Sequence, residues 1–250
     1  METGEAPSQP DAPAPARPWR LLDVILIAVG AGAGLALALL LTGWLARSGV
    51  DGPFNPTVAT LAVQGMTMAA AVLAGILLRR MSWAEAGLRA AAWWWFLVAL
   101  AAALALLPIR LVIGYALQML IDPTMQNLAD LNTAIFPDTS FLGFLLLLLF
   151  GGLMVPLAEE LFFRGVIYGW LRRHLSLWPA MGISALLFGA AHLYLPTAAA
   201  AFVIGVALAY TYEKSRSLWV PIVIHVANNM TVFTLAYLAM ALARYLGMDL

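Results

Sequence analysis

Long apolar runs alternate with short polar breaks along almost the whole chain. A helix that crosses a bilayer needs roughly 20 consecutive, mostly apolar residues. On that rule the pattern predicts seven spans, at about 21–46, 56–79, 92–119, 141–172, 177–194, 196–213 and 218–245. The breaks between them are short, so residues 20–250 read as a single membrane domain with no visible internal repeat. The expected fold is all-α, a polytopic transmembrane helical bundle of about seven spans (seven to eight) around an intramembrane polar cavity.

The polar breaks carry an orientation signal. Arg17 and Arg20 precede the first run; Arg79, Arg80 and Arg89 follow the second, Arg172 and Arg173 the fourth, and Lys214 and Arg216 the sixth. The intervening loops carry mainly acids, namely Asp51 (beside Arg47), then Asp122, Asp130 and Asp138. Lys and Arg concentrate in cytoplasmic loops. Seven spans starting inside therefore place every basic cluster in the cytoplasm and the C-terminus outside, as in a bacterial-type plasma membrane. The longest break, about 120–140, contains Met125, Leu128, Leu131 and Ile135 and suits a short amphipathic helix on the outer surface. Trp93, Trp94 and Trp95 open the third run, where an interfacial aromatic belt is expected.

Composition supports the membrane reading and removes several functions. Hydrophobic residues make up 63% of the chain and charged residues 10%, with a mean hydropathy of +0.90. A soluble domain carries about 25% charged residues, so this chain has too few to coat a globule in water. Thirteen basic and thirteen acidic residues cancel, which leaves no basic face for nucleic acid. The absence of cysteine excludes disulfides, thiolate nucleophiles and cysteine-held metal. Residues 1–19, Pro- and Ala-rich with Glu2, Glu5 and Asp11, lack the marks of a cleavable signal peptide and read as a disordered tail.

Against this apolar background a few residues are out of place. A charge near the bilayer centre costs at least ~2.5–3.5 kcal/mol on insertion scales. The fourth run nevertheless holds Glu159, Glu160 and Arg164; the fifth holds Phe188 and His192; the seventh holds His225, Asn228 and Asn229. Successive helical residues lie about 100° apart, so the two glutamates cannot share one direction. Arg164, four residues after Glu160, has the spacing of a same-face ion pair, which leaves Glu159 to point elsewhere. His225 and Asn229 are likewise one turn apart, as are Phe188 and His192. At 1.5 Å per residue Glu159 lies roughly 20 Å from Arg172, and His192 roughly 21 Å from Trp178. His225 and Asn229 lie roughly 10–17 Å from residue 218. These overlapping depths predict one shared cavity, expected to open toward the cytoplasm.

A carboxylate and an imidazole in such a cavity can orient and deprotonate water, and a His–Asn pair can donate to the oxygen of a tetrahedral intermediate. The plain structural readings are an internal Glu160–Arg164 brace and interhelical hydrogen bonds for His192 and His225. Asn228, off the His225 face, reads as a packing residue. His174 reads as interfacial, and Arg110, just past Pro108, as an arginine snorkelling to the outer interface.

The three motifs E-E-x-x-x-R, F-x-x-x-H and H-x-x-x-N, in that order on separate helices, resemble those of the CPBP family of intramembrane glutamic peptidases. That family includes the type II CAAX prenyl endopeptidases and the bacterial Abi-type proteins. The resemblance covers about 141–235. It implies that Glu159, with His192, activates water against a peptide bond, that His225 and Asn229 stabilise the oxyanion, and that Glu160, Arg164 and Phe188 hold the site in shape. It further implies a peptide or protein substrate, with or without a lipid, alongside membrane lipid, and needs no cofactor or metal. Three other functions fit the same residues: a zinc-dependent intramembrane peptidase, although H-E-x-x-H is absent; a proton-coupled transporter; and a non-catalytic immunity or scaffold protein.

Overall fold

The computed structural model describes residues 18–49, 52–126 and 140–247. Seven helices carry these residues, and no strand occurs among them. They are α1 (Leu21–Arg47), α2 (Pro56–Leu78), α3 (Trp94–Ile121), α4 (Phe141–His174), α5 (Leu177–Ala190), α6 (Leu195–Ser215) and α7 (Trp219–Tyr245). All but α5 are long and apolar enough to cross a bilayer. The chain is therefore an integral membrane protein with a polytopic helical bundle, as the pattern predicts.

Local chemistry sets several of the boundaries. Asn55 caps α2 by accepting from the Val58 amide at 3.0 Å, and Pro56 occupies a first-turn position that needs no amide donor. Ser140 caps α4 in the same way through the Gly143 amide. Inside α4 the turns widen to π-helix over Leu148–Met154 and Leu161–Tyr168, on either side of Pro156. Such wide turns are rare and are frequently found at functional sites; here they bracket Glu159 and Glu160.

Helix α4 is the centre of the bundle, packing against α2, α5, α6 and α7, while α1 leans on α2 and α3 packs against α6 and α7. Phe162, Phe163, Val166 and Leu161 of α4 join Val72 and Ile76 of α2 in the main apolar core. The large side chains left exposed, such as Leu40, Leu77, Leu104 and Leu120, are apolar and suit contact with lipid.

Two expectations change. The fifth helix ends at Ala190 instead of near 194, so His192 sits in the turn that joins α5 to α6. With 14 residues, α5 rises only ~21 Å. The expected tail is described only at Pro18 and Trp19, and Trp19 is buried with its indole Nε1 donating to the Gly165 carbonyl at 2.9 Å. Residues 1–17 lie outside the described residues, as does most of the amphipathic helix expected at 120–140 (127–139).

The α5–α6 hairpin depends on close approach. A Cβ on Gly205 would stand 3.1 Å from the Ala185 Cα and from the Phe188 ring. Gly205→Val is expected to lower stability by about 1–3 kcal/mol through overpacking, read as an earlier thermal unfolding transition in detergent.

Candidate active site

The buried charges of α4 satisfy one another first. Glu160 and Arg164 are 0% exposed and Glu159 is 6% exposed, where an unpaired charge would carry a large desolvation penalty. Arg164 Nη1 donates to Glu160 Oε1 at 2.7 Å, as their spacing predicts. Its Nη2 donates to the Gly205 carbonyl of α6 at 3.2 Å. The guanidinium also lies over the Phe188 ring, 4.4 Å from its centroid, a cation–π contact onto α5. From α7, His225 Nδ1 stands 2.9 Å from Glu160 Oε1.

Phe188 is where the three motifs meet. Besides Arg164 it touches the rings of His192, at 5.0 Å between centroids, and His225, at 5.5 Å, both edge to face. His192 Nδ1 lies 2.9 Å from the Phe188 carbonyl. A carbonyl oxygen only accepts, so Nδ1 carries the hydrogen and Nε2 is the free ring nitrogen. The same argument puts a hydrogen on His225 Nδ1, facing Glu160, and leaves Nε2 3.7 Å from Glu159 Oε2.

Glu159, Phe188, His192, His225 and Asn229 line one cavity of about 260 Å³. Glu160 and Arg164 stand behind its wall. Among the described residues Glu159 makes no direct hydrogen bond, its nearest basic contact being the 3.7 Å approach to His225. Its carboxylate is therefore free to accept from water. His225, more than His192, is the imidazole beside Glu159, although both face the same space.

Two findings depart from the sequence reading. Arg110 does not snorkel to the interface. Its Nη1 donates to Oδ1 of Asn228 at 2.8 Å and of Asn229 at 2.9 Å, and its side chain lines the cavity. The amide oxygens of α7 form a better-defined anchor than the interface, 118 and 119 residues distant in sequence. The bond fixes the Asn229 amide, leaving Nδ2 as its donor, with only a long 3.5 Å contact to the Gly151 carbonyl. Asn228 is buried, with Nδ2 3.5 Å from the Ala103 carbonyl, consistent with packing.

The second departure is direction. Beyond Glu159 the cavity is lined by Leu61, Gln64, Gly151, Val155, Thr197 and Phe233. Each lies on its helix toward the end away from Arg79, Arg172 and Ser215. The cavity thus extends away from the basic helix ends, not toward them. Phe162, Phe163 and Val166 fill the basic side of Glu159 with apolar core.

Among the described residues no three His, Asp or Glu side chains converge as a metal site. His174 is exposed, with Nδ1 2.8 Å from the Trp170 carbonyl.

A buried carboxylate, two imidazoles and an oriented amide thus line one cavity inside a membrane bundle. Comparison with known proteins bears on the class. Residues 141–231 match the family model described as "Type II CAAX prenyl endopeptidase Rce1-like", which bears out the resemblance drawn from the three motifs. A Bacillus subtilis (strain 168) protein named "Putative membrane peptidase YdiL" is 30% identical over 87 residues, 35% of this chain and 36% of that relative. The matched stretch thus spans about a third of each. No solved structure matches the chain.

Arg164→Met is expected to destabilise the fold by roughly 3–5 kcal/mol by leaving Glu160 uncompensated, and Arg164→Met with Glu160→Met to recover most of that loss. Chemical denaturation of the two variants in the same detergent checks both.

Proposed function

We propose that the protein is an intramembrane endopeptidase of the glutamic type. The observation that carries this reading is Glu159, buried with no direct hydrogen bond among the described residues, on the wall of a cavity that His192 and His225 also line.

In the proposed reaction a water enters beside Glu159 and gives it a proton while its oxygen attacks the carbonyl carbon of the peptide bond. His192 Nε2 accepts from the same water and orients it. Negative charge on the carbonyl oxygen falls to Asn229 Nδ2, in the field of the Arg110 guanidinium, and to His225 once its Nε2 carries a hydrogen in addition to Nδ1. The proton held by Glu159 then passes to the leaving nitrogen, giving a carboxylic acid and an amine with no covalent enzyme intermediate. Glu160 and Arg164 keep the frame.

The substrate is a peptide or protein segment that reaches the site within the bilayer. An apolar groove of about 470 Å³ between α1, α2, α4 and α5 also touches Glu159, along with Ala28, Ala31, Gly32, Phe162 and Phe163. It suits an apolar chain, peptide or lipid, arriving laterally. With the basic ends in the cytoplasm of a bacterial-type cell, the aqueous part of the site faces outward.

Purified protein in detergent micelles, incubated with a library of unmodified and prenylated peptides, tests the reading. Cleavage by the native chain should fall at least ~10²-fold in Glu159→Gln, the scale of a lost general base, and persist in chelator. Loss in chelator with recovery on adding zinc would overturn the glutamate mechanism in favour of a metallopeptidase.

Arg110→Ala is expected to lower kcat by ~10²-fold or more, with a smaller change in KM, because a donor array aimed at developing charge acts mainly in the transition state. Steady-state kinetics on a cleaved peptide separates the two parameters.

A further inference from the structure

A second polar recess, of about 390 Å³, lies at the opposite end of the bundle from the mouth of the active-site cavity. It sits among the start of α1, the 79–93 connection, the end of α4 and the end of α6. Its wall gathers Arg89, Arg172, Arg173 and Arg216, with Glu85 and Glu213 as the carboxylates. Arginines near helix C-termini complement the helix dipole, which explains their presence on α4 and α6 but not their convergence with Arg89 from another segment.

The carboxylates are already engaged. Glu213 accepts from the Tyr168 hydroxyl at 2.7 Å and meets Arg172 at 3.4 Å and Arg216 at 3.5 Å. Glu85 accepts from the Ser82 amide at 2.7 Å and its hydroxyl at 2.9 Å. Among the described residues neither Arg89 nor Arg173 has an ion-pair partner. Arg89 uses Nε to donate to the Ala84 carbonyl at 2.7 Å, which leaves its terminal nitrogens uncommitted. The Tyr212 hydroxyl, also on the wall, has no hydrogen-bond partner among the described residues. Two spare guanidinium groups and a spare hydroxyl thus face one partly enclosed space.

We infer that this recess binds a phosphate group, carried by the headgroup of an anionic phospholipid. Guanidinium forks match phosphate oxygens in pairs, and basic pockets between membrane helices bind phosphate-bearing lipid headgroups. The recess lies at the ends of the apolar helices α4 and α6, and Trp19, Tyr168 and Tyr212 line it, residue types that concentrate at membrane interfaces. A headgroup there neutralises the cationic excess while its acyl chains remain with the lipid beside the bundle. The site is independent of the proposed peptidase chemistry.

The test is native mass spectrometry of the full chain released from vesicles of equal phosphatidylcholine and phosphatidylglycerol. The native chain should retain phosphatidylglycerol in preference. Arg89→Gln with Arg173→Gln should weaken that retention about 25-fold, at about five-fold per arginine, while Arg89→Lys with Arg173→Lys keeps most of it. Arg80→Gln with Lys214→Gln, at the same end but outside the recess, should leave retention within about two-fold; circular dichroism reports whether each variant is folded. Equal retention of the two lipids, or equal loss in the recess and control pairs, would overturn the site. Phosphate adducts formed in phosphatidylcholine vesicles with inorganic phosphate, displacing phosphatidylglycerol when it is present, would overturn the lipid as the source.

Discussion

The ion pair between Glu160 and Arg164 is the constraint around which the bundle is arranged. Both side chains are withdrawn completely from solvent and lipid, where either charge alone would be untenable. Satisfying them recruits three other helices. Arg164 reaches the Gly205 carbonyl on α6 and the Phe188 ring on α5, and Glu160 takes the His225 imidazole of α7. One pair of charges therefore fixes α4 against α5, α6 and α7 with bonds that lipid-like packing could not direct. Glu160 Oε2 is buried with no hydrogen-bond partner among the described residues. The helical rotation of about 100° per residue sends Glu160 into the frame and Glu159 onto the cavity wall.

Much of this was legible in the residues. Helix boundaries followed apolar run length, and the i, i+4 spacing of Glu160 and Arg164 named the brace directly. The agreement in depth among Glu159, His192, His225 and Asn229 was also readable, because rise per residue is fixed once a helix is assigned. What failed was whatever depends on packing between distant segments. Nothing in Gly189-Ala190-Ala191 signals that α5 stops there, since alanine continues a helix as readily as any residue. The direction of the cavity depends on where Phe162, Phe163 and Val166 pack, and apolar residues all look alike in a hydropathy pattern.

Arg110 shows the same limit in its sharpest form. A lone arginine near a span end is ordinarily interfacial, and its partners lie on the last helix. A signal was present nonetheless. Counting inward from the expected outer end of the third run puts Arg110 roughly 13 Å from that end, deeper than a snorkelling side chain needs to be. The consequence reaches beyond one residue. The stretch that matches the peptidase family begins at 141, yet α2 and α3 contribute Gln64 and Arg110 to the cavity wall. The early helices are structural partners in the site as well as hydrophobic packing.

The brevity of α5 has a bearing on the membrane itself. A hydrocarbon core is about 30 Å thick, and 14 helical residues cover ~21 Å of it. The shortfall lies next to the turn that carries His192. Lipids adjust to such a mismatch by thinning around the protein, at a cost that rises with each ångström. A locally thinned leaflet brings the polar headgroup region nearer to Glu159 and shortens the route by which water reaches it. Bilayer thickness then becomes a variable of the surroundings of Glu159, set by the lipid composition of the cell as much as by the polypeptide.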